Sequence, residues 1–335
     1  MKKYIVLILG LFFSFLNINT LLAAPDICGV GDTSGLIGYW KLNEASGTTA
    51  ADSFNGYTGT LTYTSPASTA PTFTAGKASN GISLANGQYV TVPHNSALNI
   101  TGDLTIAMWV NPNSVTCSGA DPAYALVSKR STNIKLPYEF MIGCGGSLRY
   151  GAWGTNIQYP GAGTATGLVT TGSWQHVAMT RSYSGIAATV TFYINGVPVG
   201  SSSQDSGPTL TNSDPVWISR SGYYTGYTSQ GSYSGLMDEI VILNRALSDS
   251  EILNLYNLTD AGSSYCEYDT TPEAFTFIDW TGVARNTVIT SNTITVVGID
   301  GTAPISIGSG QYAINGGSYT SATGTVSNGN TVTVR

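Results

Sequence analysis

Charge is the scarcest property of this chain. Only 10% of its 335 residues are Asp, Glu, Lys or Arg. It has two histidines and four cysteines, and after the first two dozen residues no apolar run could span a bilayer. Each scarcity excludes something. The 13 basic residues face 19 acidic ones, a formal net charge of −6, so a nucleic-acid backbone would be repelled. No cysteine or histidine spacing resembles a zinc site, because His94 and His176 lie far apart. The G-x-S-x-G turn of a serine hydrolase is missing, and neither histidine has a recognisable catalytic partner. His176, inside "WQHVAMTR", reads as a satisfied core residue, and His94, near a turn, as a surface one.

What is present points to an all-β protein. The chain is 42% hydrophobic, with 40 Gly and 20 Tyr, too apolar and aromatic for disorder and rich in β-formers and turn residues. It opens with Lys2 and Lys3, an apolar run, and Ala23 and Ala24, the pattern of a secretory signal peptide over residues 1–23, cut after Ala23 or Ala24. Cleavage leaves 11 basic against 19 acidic residues, a formal charge of −8, and no membrane span. The expected location is secreted or at the cell surface. Four cysteines in an exported chain, Cys28, Cys117, Cys144 and Cys266, suggest two disulfides, with three pairings open.

From Leu36 to Tyr256 short β-like runs alternate with Gly, Asn, Ser and Pro. "LIGYWKL", "YVTVP", "LTIAMWVNP", "YALVSKR", "YEFMIG", "LRYGAW", "WQHVAMTR", "ATVTFYINGVPVG" and "VWISR" are the clearest. Val190, Phe192 and Ile194 alternate onto one face, and Asn195–Gly196 is a tight hairpin turn. Such spacing predicts a sandwich or jelly roll. One helix stands out, "ALSDSEILNLY", with the capping box Ser248…Glu251 and an apolar face of Ile252, Leu255 and Tyr256.

"GYWKLNEASGTTAADSFNGYTGTL", "LTIAMWVNP", "SWQHVAMTR", "TFYINGVPVG" and "YSGLMDEIVILNRALSDSEILNLYN", in this order, resemble the laminin-G-like/concanavalin A-like jelly-roll domain of bacterial surface proteins over about residues 34 to 260. The resemblance implies an antiparallel jelly-roll β-sandwich over residues 28–266, with one short capped helix and adjacent chain ends. That adjacency would pair Cys28 with Cys266, and Cys117 with Cys144 between two loops. Residues 267–274 then form a linker with Pro272. Residues 275–335 resemble a small immunoglobulin-like β-module through "SNTITVVGI" and "YAINGGSYTS". In that family further strands follow the position of "TVTVR", so the module is expected to be incomplete, by truncation or with its edge supplied by another chain.

Chemistry could sit at Asp238 and Glu239, side by side in an apolar run. Successive strand residues point to opposite faces, so this pair is not expected to flank one glycosidic bond. Enzymes of the resembled fold place acids at alternate positions. Here only Asp249/Glu251 and Glu267/Asp269 are so spaced, on the helix and in the linker. The resemblance implies a better use for acids, a structural calcium held by Asp52 and Asp238 with Asn55 and, more weakly, Glu44. The alternative is that Asp52 makes an Asx-turn and Asp238 accepts backbone hydrogen bonds. Tyr223, Tyr224 and Tyr227, and separately Trp153 and Tyr159, lie in Gly-rich segments and are candidate ligand-binding aromatics. The sequence therefore reads as a non-enzymatic recognition or adhesion protein for a glycan or a surface or matrix protein. A spacer in a larger envelope assembly is the alternative, and a glycoside hydrolase is third.

Overall fold

Alternation along the strands builds the core. In the computed structural model, residues 35–116, 123–130, 136–152, 162–185, 187–204, 208–221, 232–260, 262, 264–265, 272–278, 281–284, 286–299 and 302–335 are described. Residues 1–23, expected as a signal peptide, and Cys28, Cys117, Cys266, Trp153, Tyr159, Tyr223, Tyr224 and Tyr227 lie outside them. The chain divides into a unit of residues 34–265 and a second unit that holds residues 266–335.

The larger unit has two eight-stranded sheets, antiparallel throughout their named pairings. The first runs Val197–Gln204, Ala188–Ile194, Gln175–Tyr183, Leu104–Pro112, Gly235–Leu243, Asn80–Leu84, Thr72–Ala75, and Leu36–Trp40 also pairs with Gly235–Leu243. The second runs Ala162–Gly163, Ser147–Gly151, Tyr138–Gly143, Ala123–Lys129, Val216–Ile218, Gln88–Val92, Gly59–Tyr63, Thr49–Ala50. Strands distant in sequence are neighbours, which gives the jelly roll expected from the sequence.

One core fills the space between the sheets. Ile106, Met108, Val110, Val177, Met179, Val190 and Phe192 from the first meet Val90, Val92, Tyr138, Phe140, Ile142, Val216 and Ile218 from the second. Phe140 and Phe192 stack across the gap with ring centroids 6.4 Å apart. Trp40 is fully buried and its Nε1 donates to the Tyr57 carbonyl at 3.0 Å. The pattern is the one period-2 burial requires. The hairpin at Asn195–Gly196 has φ of 49° and 77°, the positive values a two-residue primed turn needs.

The helix spans Asp249–Asp260 and buries Ile252 and Leu255. Ser248 N donates to Glu251 Oε2 at 2.7 Å and Glu251 N to Ser248 Oγ at 3.4 Å, completing the capping box. Leu253 and Tyr256 lie against Gly196, so the helix packs beside the hairpin turn. Twelve residues hold their shape by this packing rather than by propensity.

The smaller unit is separately cored by Ile294, Val296, Ile299, Ala303, Tyr312, Val326 and Val332, with Phe275 and Phe277 against them. Its strands form a three-stranded sheet, Ile294–Thr295, Thr331–Val334, Tyr312–Ile314, and a pair, Ala303–Ile305 with Gly324–Val326.

Gly235 starts the central strand at φ 144°, and a Cβ there would meet Asn111 O at 2.3 Å and Tyr233 Oη at 2.7 Å. Gly235→Ala is therefore expected to cost about 2–3 kcal/mol through strain and overlap. In a unit of this size that lowers Tm by roughly 4–10 °C in a thermal melt.

Candidate functional site

The strand Gly235–Leu243 does not alternate throughout. Met237, Ile240 and Ile242 face the core, whereas regular period 2 from Met237 would send Glu239 inward. Opposite Leu104–Pro112, Asp238 pairs with Trp109 and Val241 with Ala107, so Glu239 and Ile240 together face one residue. This is a β-bulge, and Glu239 carries it at φ 52°, a left-handed value uncommon for a side chain of that size. The extra residue shifts the phase by one. Asp238 and Glu239 thus leave the same face of the sheet, its outer one. The expectation that neighbours on this strand point to opposite faces is corrected here, and the bulge is the reason.

Both carboxylates are fully buried and supplied with protein donors. Lys77 N and Ala78 N donate to Asp238 Oδ2 at 2.8 and 2.9 Å, and Glu239 N donates to Oδ1 at 2.9 Å. The approach is close: a Cβ on Gly76 would meet Asp238 Oδ2 at 2.6 Å. Glu239 accepts from the Tyr39 hydroxyl, from Ser264 Oγ at 2.8 Å and from Tyr265 N at 3.0 Å. The Tyr265 hydroxyl and His176 Nε2 are hydrogen-bonded at 2.7 Å. Trp109, edge-on to His176 with centroids 5.6 Å apart, donates from Nε1 to Thr259 Oγ1 on the helix at 2.6 Å. Lys77 Nζ lies 4.5 Å from the Trp109 ring centroid and 2.8 Å from Asp260 Oδ1. Sequence reasoning marked Asp238 and Glu239 but missed Tyr39, Ser264 and Tyr265, whose roles appear only once entry and exit segments meet.

The chemistry of this cluster is that of a seal. Burial, above all, pushes Asp238 up to about 8 and raises Glu239, while His176 is pushed down to about 3 by its loss of solvent. No water-reachable acid and base face each other here. The linked signs differ. Asp238, raised above its unfolded 3.8, contributes stability fully below that value, lost as pH rises through about 8. His176, depressed from 6.5, contributes stability present above 6.5 that is lost as pH falls towards 3. The two oppose each other between 3.8 and 6.5 and leave a net decline from 6.5 to 8. Tm is accordingly expected to fall across that interval, and Glu239→Gln, which removes one raised acid and the charge beside Asp238, should flatten the decline.

The calcium candidates are engaged separately. Asp52 Oδ1 accepts from Tyr39 N at 2.9 Å and Phe54 N at 3.0 Å, and Oδ2 from Asn55 N at 3.0 Å and Tyr57 N at 2.9 Å. Asn55 Nδ2 donates to the Ile37 carbonyl at 2.9 Å, and Glu44 Oε1 accepts from Ala51 N at 2.6 Å. Among the described residues no group of three or more acidic, histidine or cysteine side chains could hold a metal. Asp52 and Asn55 share one turn, whereas Asp238 takes its hydrogen bonds from Lys77, Ala78 and Glu239. Asp52→Ala would strip four amides of a charged acceptor, and denaturant unfolding should show a loss of about 3 kcal/mol. Cys144 is disulfide-bonded, and Gly145 N donates to Val115 O at 2.8 Å.

The outer face of the second sheet is differently furnished. Val216 and Ile218 belong to the core, so Trp217 between them points out, and it is half-buried. Trp217 pairs with Thr91 on one side and Ser128 on the other, Thr91 with Thr60, and Ser128 with Glu139. Ser128 Oγ donates to Glu139 Oε1 at 2.9 Å, and Arg130 pairs with Glu139 Oε2 at 3.1 Å. Tyr89, two residues before Thr91, shares its face, and the Arg220 guanidinium lies 4.4 Å from the Tyr89 ring centroid.

The family described as the Concanavalin A-like lectin/glucanases superfamily matches residues 84–253. No curated protein matches the chain. Among solved structures, the binding domain of Paraclostridial Mosquitocidal Protein 1 aligns with a TM-score of 0.52 at 19% identity. That alignment covers 67% of this chain and 52% of the other, so the chain spans about half that structure's length. Domain 4 of AbnA, a GH43 extracellular arabinanase from Geobacillus stearothermophilus, in complex with arabinotriose, aligns at a TM-score of 0.48 and 16% identity, covering 67% and 98%. The CBM40 of Ruminococcus gnavus IT-sialidase, bound to alpha2,3 sialyllactose, aligns at 0.43 and 13%, covering 52% and 96%.

Proposed function

The chain belongs to the Concanavalin A-like lectin/glucanases superfamily, and from that premise we propose that it is an exported, non-catalytic recognition protein for a carbohydrate or protein partner. The observation that carries this reading is the burial of Asp238 and Glu239. Two-carboxylate glycoside hydrolysis needs both groups at the substrate with water between or beside them. Here both accept hydrogen bonds from backbone and side chains under a helix-covered sheet. Binding is what the fold offers without them, since loops and faces of a rigid sandwich can present polar and aromatic groups. The similar fold in Paraclostridial Mosquitocidal Protein 1 is a binding domain, which agrees with the proposal.

Export rests on residues 1–23, and the disulfide pairs Cys117–Cys144 and Cys28–Cys266 belong to the same proposal. The hydrogen bond between Gly145 and Val115 favours Cys117 as the partner of Cys144. Calcium at Asp52 is part of the proposal as well: a calcium-dependent rise in Tm that Asp52→Ala removes would place an ion there. An equal loss with calcium and with chelator would make Asp52 a turn residue alone. The second unit is proposed as an immunoglobulin-like module.

The deciding experiment displays the mature chain to a glycan array and to candidate surface and matrix proteins, beside an assay for released reducing ends. Binding without hydrolysis, weakened roughly tenfold or more by Tyr223→Ala or Tyr224→Ala, is the expected result. Binding to nothing favours a spacer. Hydrolysis lost in Asp238→Asn or Glu239→Gln would overturn the proposal.

A further inference from the structure

We propose that the outer face of the second sheet, around Trp217, Thr91 and Arg220, binds a saccharide that carries a carboxylate. This rests on the recognition reading and assigns it a site. Trp217 offers a flat apolar ring, half-buried and turned away from the core. Hydroxyl groups lie beside it in register on one side: Thr91 on the flanking strand and Thr60 beyond it. Thr62 Oγ1 and Thr91 Oγ1 are 3.4 Å apart. A ring bordered by hydroxyls matches a sugar, whose C–H faces pack on an aromatic surface while its rim takes hydrogen bonds.

The charge class follows from Arg220. The two arginines of this half of the face are in different states. Arg130 is 3.1 Å from Glu139, so its charge has an acidic counterpart. Arg220 has none among the described residues. Its contact is with the face of Tyr89, at 4.4 Å from the centroid. A guanidinium stacked on a ring keeps its edge and its forked donors available, and that fork fits a carboxylate. Tyr89 lies two residues from Thr91 on one strand, which puts Arg220 about 7 Å along the sheet from the indole row. That is the span of one or two sugar rings. A polyphosphate is disfavoured because the chain carries a formal charge of −6 and, among the described residues, this face offers one cation without an acidic partner, not a row of them.

The test uses the full mature chain in calorimetric titrations with oligogalacturonate, oligoglucuronate and a sialylated trisaccharide, each beside its uncharged counterpart. At least one acidic ligand is expected to bind more tightly than its counterpart. Arg220→Gln should weaken that ligand about ten- to a hundredfold and leave the neutral one unchanged. Arg220→Lys should recover only part of the loss, since a point charge lacks the fork. Trp217→Ala should weaken both, and melting curves check that each variant is folded. Unchanged acidic binding in Arg220→Gln and Trp217→Ala overturns the site, as does a sulfated oligosaccharide with the same affinity and the same Arg220 dependence. If no acidic ligand binds but the array finds another glycan sensitive to Tyr223→Ala, the site fails and the recognition reading stands. If nothing binds at all, both fail.

Discussion

A carboxylate removed from water must be met by donors, and Glu239 is met by both ends of the sandwich chain. Tyr39 reaches it from the entry strand, 200 residues away in sequence, and Ser264 and Tyr265 from the exit, 25 and 26 residues on. Removing one side of such a buried arrangement leaves a desolvated charge, which typically costs about 3–5 kcal/mol. Closure of the jelly roll is therefore held by hydrogen bonds to a charge as well as by apolar packing. Tyr265 carries the same network to His176, and Trp109 carries it to Thr259 and the helix.

The bulge makes this arrangement available. Without the extra residue, Glu239 would enter the core between Met237 and Val241, among largely apolar side chains. Placing it at φ 52° moves it to the outer face and returns Ile240 and Ile242 to the core. The local strain, of order 1–3 kcal/mol, is tolerated because the surrounding donors fix the residue there. Asp238 remains in regular register opposite Trp109, and the backbone at Gly76 and Gly81 comes close enough to enclose it.

These two levels explain what the sequence disclosed. The hairpin at Asn195–Gly196, the Ser248…Glu251 cap and the alternation of Val190 and Phe192 are local patterns, and the structure contains each of them. The phase slip inside "GLMDEIVIL" has no local mark, since it depends on register with Leu104–Pro112, more than 120 residues earlier in the chain. Asp52 shows the intermediate case. "ADSFNG" announces a turn, but the four amides that converge on one carboxylate come partly from Tyr39, in another strand. Trp153 and Tyr223 lie outside the described residues, so they stand as candidates from the sequence alone.

The two outer faces of the sandwich have unlike fates. That of the first sheet is occupied by Trp109, His176, Tyr265 and the helix, and its acids are spent on holding the chain closed. A site needs polar groups with unused bonding capacity beside a flat apolar surface. On the second sheet, Thr60, Thr62, Thr91 and Trp217 remain at least partly exposed, and Arg220 rests on an aromatic ring instead of an acid. With the acids of one face committed to stability, recognition falls to the other, where a guanidinium in an acidic protein still lacks its counter-charge among the described residues.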